Sequence, residues 1–264
     1  MIFQTKREIT TIEPETIINI GNFHIANSTL LAVLILLILL ITGIYFYKKY
    51  KNTPSTFQII LEMMIEGIED FIDQITANKN RSKVVFNIIA SIFVFIGISN
   101  LIGLIPGLTS ITYEGLPIFR TPTADFNTTF SMALTAVVVL QFISMKEWGL
   151  WEHFNKFIKV KDLYLGFKKG ISSGVMALVD FFIGLLDIVG EFAKIFSLSL
   201  RLFGNMYAGE VLMIIIMGGL AYVVPSIWLS MNLLVGVIQA LVFGALVTAY
   251  YMLAIKPDES ESKN

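Results

Sequence analysis

Apolar residues along this chain run in blocks of about twenty, the length that crosses the roughly 30 Å hydrocarbon core of a bilayer as a helix. The first block, 28–47, is closed by Lys48, Lys49 and Lys51. It is too long for a signal-peptide core and lacks a small-residue cleavage pattern, so it reads as a retained helix behind a mixed, polar segment 1–27. Residues 55–79 follow another rhythm. Phe57, Ile60, Leu61, Met64, Ile68, Phe71, Ile72 and Ile75 share one helical face, and Glu62, Glu66, Glu69, Asp70 and Asp73 the other. That pattern predicts an amphipathic interfacial helix, and its acidic face favours packing on protein over anionic lipid. A second span covers 83–104, and a loop with Pro106, Pro117 and Pro122 covers 105–123. A third span, 124–144, leads into a lysine-rich segment, 145–170, with Lys146, Lys156, Lys159, Lys161, Lys168 and Lys169.

The lysines set the orientation. By the positive-inside rule the lysine-rich segments face the cytoplasm, and residues 1–27 and 105–123 face outward. No proline or polar loop interrupts 171–221, so a continuous helix there is roughly 75 Å long. It starts inside, and the final helix, 227–255, ends inside before the tail 256–264. One steeply tilted crossing therefore satisfies the topology. The chain reads as one integral membrane domain, all-α and polytopic, with about five crossings; its last two helices are long, tilted and paired.

Composition sharpens this reading. Of 264 residues 55% are hydrophobic and 15% charged, and the mean hydropathy of +0.75 exceeds that of an ordinary soluble domain. No cysteine is present, which removes disulfides and thiolate chemistry. His24 and His153 fit no zinc spacing, and His153, among lysines, is expected to be solvated. No basic tract points to nucleic acid.

Asp180, Asp187, Lys194 and Arg201 recur every seven residues and form one stripe of the long helix, continued by Gly204 and Ala208. Charges on one stripe of an apolar helix face protein or a water-filled cavity. Even the lower estimates put a mid-bilayer arginine at about 2.5–3.5 kcal/mol, and a guanidinium keeps its proton, so the residue needs a counter-charge. Glu210, nine residues on, points to the opposite side about 13 Å along the axis, which excludes a simple pair with Arg201. Asn205 lies one turn after Arg201. In the final helix Gln239 and Asn232 accompany a stripe of Gly236, Ala240 and Gly244. Bland readings stand beside these: buried amides and small residues often only join helices, and Lys194 can pair with Asp187 or Glu191.

The run SLSLRLFGNMYAGE, 197–210, resembles subunit a of the bacterial F-type ATP synthase. PTADFNTTFSMAL (122–134) and Gln239 within IQALVFGALVTAYY (238–251) are similar to two further blocks of that family. The resemblance covers about residue 83 to the end by residues and the N-terminal third by layout. It implies that Arg201 is the essential arginine facing the rotating ring of subunit c, whose carboxylate is the missing counter-ion. It implies that Glu210, Asn205 and Gln239 line an outer half-channel, and that Ser197, Asp187 and Lys194 lie toward a cytoplasmic one. Asp125, in the second block, and Asn232, where many relatives carry histidine, join the half-channel set. The implied protein is a non-catalytic, ion-translocating subunit of the plasma membrane that passes H+ or Na+ without cofactor or metal. It works within the ATP synthase complex beside the c ring and the peripheral-stalk subunit b. The alternative, a secondary transporter, calls for an internal repeat with broken helices, which is absent from the sequence. An intramembrane enzyme calls for a catalytic set at membrane depth, and none is present.

Overall fold

The computed structural model describes residues 13–20, 23–49, 55–105, 108, 111–113, 116–157, 159, 165, 168, 171–219 and 223–256. Pro106 of the expected loop, together with Lys51, Lys161, Lys169 and the tail beyond Lys256, lies outside them. Seven helices carry the described fold: α1 (Asn27–Lys49), α2 (Thr56–Thr76), α3 (Lys79–Gly103), α4 (Phe126–Trp148), α5 (Leu150–Phe157), α6 (Ile171–Gly219) and α7 (Val223–Ala254). Four are long and apolar enough to cross a membrane: α1, α3, α4 and 224–254 of α7. The long segment expected at 171–221 is one unbroken 49-residue helix.

Two short antiparallel hairpins add to the all-helical expectation. Thr16–Ile20 pairs with Phe23–Ala26, and Thr112–Tyr113 with Leu116–Pro117. Both fall in the segments assigned outward.

α2 and α3 meet at a tight corner. Ser55 caps α2 by accepting from the Gln58 N–H, and Ala77 closes it in the left-handed conformation at φ 50, a common helix stop. Asn78 then caps α3 through the Asn80 N–H at 3.0 Å, and the Thr76 and Ser82 hydroxyls bond at 2.6 Å across the corner. The second half of α2 packs on protein through Ile68 and Ile72, and near its start Gln58 is buried as well. Phe57, Ile60 and Met64 are exposed, so protein covers part of the apolar face that the sequence assigned to it.

The core lies between α3, α4, α6 and α7. Ile89, Ile96, Ala133, Leu140, Leu198, Leu202, Phe243, Val247 and Tyr251 form it. In lipid, apolar burial drives little; close van der Waals contact and polar pairing do the joining. The small stripe of α7 serves that purpose against α3. A Cβ on Gly236 would lie 3.2 Å from the Asn100 Cβ, and one on Gly244 3.4 Å from the Phe93 ring. Asn100 donates to the Gly236 carbonyl at 2.9 Å and accepts from the Thr123 hydroxyl at 2.7 Å. Outside this core stands α1. It is held at its start by Asn27, which donates to the Pro117 carbonyl at 3.3 Å, and most of its leucines and isoleucines are exposed.

His153 corrects its expectation. It is buried, 5% exposed, with Nδ1 at 3.1 Å from the Ser144 hydroxyl, because the short α5 folds back onto α4. The Ser144 hydroxyl and the Trp148 indole donate to the Ala254 carbonyl at 2.8 and 2.9 Å. Arg81 donates to the Lys256 carbonyl at 2.8 Å. Side chains from α3 and α4 thus satisfy the otherwise unpaired carbonyls at the end of α7.

Candidate functional site

α6 has two faces. Leu198, Ser199, Leu202 and Met206 are buried, and Ser199 meets Thr129 of α4 at 3.4 Å. The other face is open: Arg201, Ser197, Asp187, Ala193, Asn205 and Ala208 are exposed. A Cβ added at Gly190 or Gly204 would meet nothing within 4 Å. This face is small-residued near Arg201 and apolar at both ends, where Ile183, Leu186, Leu212 and Ile215 are exposed. Among the described residues no acid pairs with Arg201. Lys194, on the same stripe, takes the bland reading: its ammonium lies 2.7 Å from Glu191 and 5.1 Å from the Tyr250 ring centroid.

One turn beyond Arg201, Asn205 Nδ2 donates to Gln239 Oε1 at 2.8 Å and ties α6 to α7. The Gln239 Nε2 is buried and has no partner among the described residues. Asn232 approaches α6 at Gly209, where an added Cβ would come within 3.0 Å of its amide. Its Nδ2 is 3.5 Å from the Gly209 carbonyl, which also accepts from the Trp228 indole at 3.2 Å. The next residue, Glu210, sits on the side away from Arg201. Its Oε1 is buried without a partner among the described residues, and the Thr121 side chain and the Arg120 guanidinium lie close enough to act on its carboxylate.

Arg120 escaped the sequence reading. It is 3% exposed and donates to the Glu13 and Ala124 carbonyls at 3.0 and 3.1 Å. A lone arginine in the proline-bearing loop just before PTAD was the available signal.

Asp125 stands apart from Glu210's contacts as the N-cap of α4. It accepts from the Asn127 N–H at 3.0 Å, the Thr128 hydroxyl at 3.2 Å and the Ser28 hydroxyl at 2.6 Å. Asp125→Ala is therefore expected to lower stability, by about 1–2 kcal/mol for the lost cap and further through the orphaned Ser28. The amount of intact subunit extracted from membranes, against wild type, measures it.

These features define a class: a multi-pass helical membrane protein whose long helix shows, among the described residues, an arginine without an acid partner on its open side and a glutamate with one buried carboxylate oxygen on the other. The chain belongs to the ATP synthase A chain family, whose model matches residues 28–252. The match reaches well into the N-terminal third, where motifs alone had shown only layout. The chain is 36% identical to "ATP synthase subunit a" of Geotalea daltonii over 82% of each chain. It is 33% identical to that of Syntrophobacter fumaroxidans over 95% of this chain and 93% of the relative. To that of Buchnera aphidicola it is 31% identical over 89% of this chain and 85% of the relative. Membership makes the chain a component of the membrane sector of an ATP synthase complex.

Proposed function

We propose that the chain is the ion-translocating stator subunit of a rotary ATP synthase, and that Arg201 faces a ring of c subunits. The observation that carries this is the unpaired arginine on a face lined by Gly190, Ser197, Gly204 and Ala208. Small residues admit another helix closely, and a permanent cation there calls for a carboxylate from that helix. In this reading α6 is the fifth crossing, steeply tilted. Glu210, Asn205, Gln239 and Asn232 line the outer half-channel. Ser197 and Asp187 lie toward the cytoplasmic one, with the Lys194–Glu191 pair at its wall. Residues 1–27 face outward, and the tail after Lys256 faces the cytoplasm.

An ion enters from outside, neutralises a ring carboxylate, rides around and leaves on the other side. Arg201 attracts the emptied carboxylate and disfavours the loaded one. Because it holds its proton it cannot relay an ion between the channels. The potential supplies about 2.3 kcal/mol per charge per 100 mV. H+ is the proposed ion, with Na+ where the ring selects it, and no cofactor takes part. Subunit b is the proposed peripheral-stalk partner.

The chain has no cysteine, so a single cysteine at Ala208 can be paired with one on a c-subunit helix. Oxidation is expected to join the two subunits, whereas a cysteine at Leu37, on exposed α1, is not. Absence of the Ala208 product across a scan of c-subunit positions overturns the proposal.

A further inference from the structure

We propose that Gly103, Thr121 and Arg120 form a clamp that positions the Glu210 carboxylate in the outer half-channel; this rests on the reading above. Three elements converge here. The segment 120–125 is buried throughout and held by Asn100 through Thr123 at 2.7 Å. Arg120 is fixed by its bonds to the Glu13 and Ala124 carbonyls, so its charge stands at a set place. α3 makes room for Thr121 at Gly103. A Cβ there would lie 2.5 Å from the Thr121 hydroxyl and 2.6 Å from its methyl.

The 122–124 turn packs against α6, which brings the clamp up to the Glu210 side of that helix. The Thr121 hydroxyl can donate to a carboxylate or accept from a carboxylic acid, so it is able to serve both states. Oε1, buried without a partner, is the atom left to take the ion. A nearby guanidinium disfavours a second cation on that atom, so an arriving ion is passed on rather than stored. Thr121 and Arg120 act here as positioning residues.

The test is ion flux per assembled complex in reconstituted vesicles. Thr121→Val is expected to slow flux about tenfold, the worth of one hydrogen bond to a charged group, and Thr121→Ser to restore it. Gly103→Ala, which displaces the hydroxyl, is expected to match Thr121→Val. Thr121→Ala, which only opens space, takes the place of Val should that variant fail to assemble. In a Glu210→Gln background Thr121→Val is expected to add nothing. Equal slowing by Ser and Val, or full additivity with Glu210→Gln, overturns the clamp. So does normal flux in Thr121→Val while Glu210→Gln is slow. Normal flux in Glu210→Gln itself instead overturns the assignment of Glu210 on which the clamp rests.

Discussion

Arg201→Ala is expected to abolish ion-driven ATP synthesis in a complex that still assembles. The side chain is exposed and makes no ion pair among the described residues, so its loss leaves the fold of this subunit intact. Removing a charge that costs about 2.5–3.5 kcal/mol at mid-bilayer eases insertion rather than hindering it. The effect falls on the neighbour. Leaving a buried charge without its mate costs about 3–5 kcal/mol, which is roughly two to four decades in rate. Without the fixed cation, the ring carboxylate also has no reason to shed its ion on one side only. Arg201→Lys is expected to rescue little, because an ammonium is a more strongly hydrated point charge and can lose its proton when buried. ATP synthesis by inverted vesicles under an imposed ion gradient measures both variants. Normal coupled synthesis in the alanine variant refutes the proposed role.

Glu210→Gln is expected to slow ion flux by about 10²-fold, the lower end of what a positioned acid–base group contributes. Glutamine keeps the shape, and its amide oxygen can still accept from Thr121, so packing against the 120–125 segment survives. What disappears is the ability to hold and release an ion at Oε1. Assembly is expected to stay near wild type, because Arg120 keeps its two carbonyl partners. Passive flux through the membrane sector with the catalytic sector stripped off measures the effect. Unchanged flux argues that ions reach the ring by another path.

The helices were legible because lipid leaves the backbone no alternative: a run of about twenty apolar residues must satisfy its own hydrogen bonds. That Arg201 finds no acid mate among the described residues was legible for a related reason, since charge at membrane depth needs a partner and the neighbouring sequence offers none. The Asn205–Gln239 bond was half legible. Two amides were visible, but their meeting across α6 and α7 depends on how those helices cross. Contacts made by loops were not legible. His153 carries no mark of burial, because α5 covers it by folding back on α4. Arg120 reads as one arginine in a polar segment until Glu210 is found beside it. The hairpins at 16–26 and 112–117 are too short for a periodic pattern to form. On α2, heptad-like regularity says which face is apolar but not how far along it protein extends.

The end of α7 is bonded by Arg81 from α3 and by Ser144 and Trp148 from α4. A rod anchored at its tip by two neighbours cannot slip lengthwise without breaking three bonds together. In the proposed rotary complex, any sideways thrust that a turning wheel delivers through α6 therefore spreads across a braced four-rod frame. The stationary half of a motor can be built this way from side chains alone, with stiffness set at the edge of the membrane rather than at the working surface.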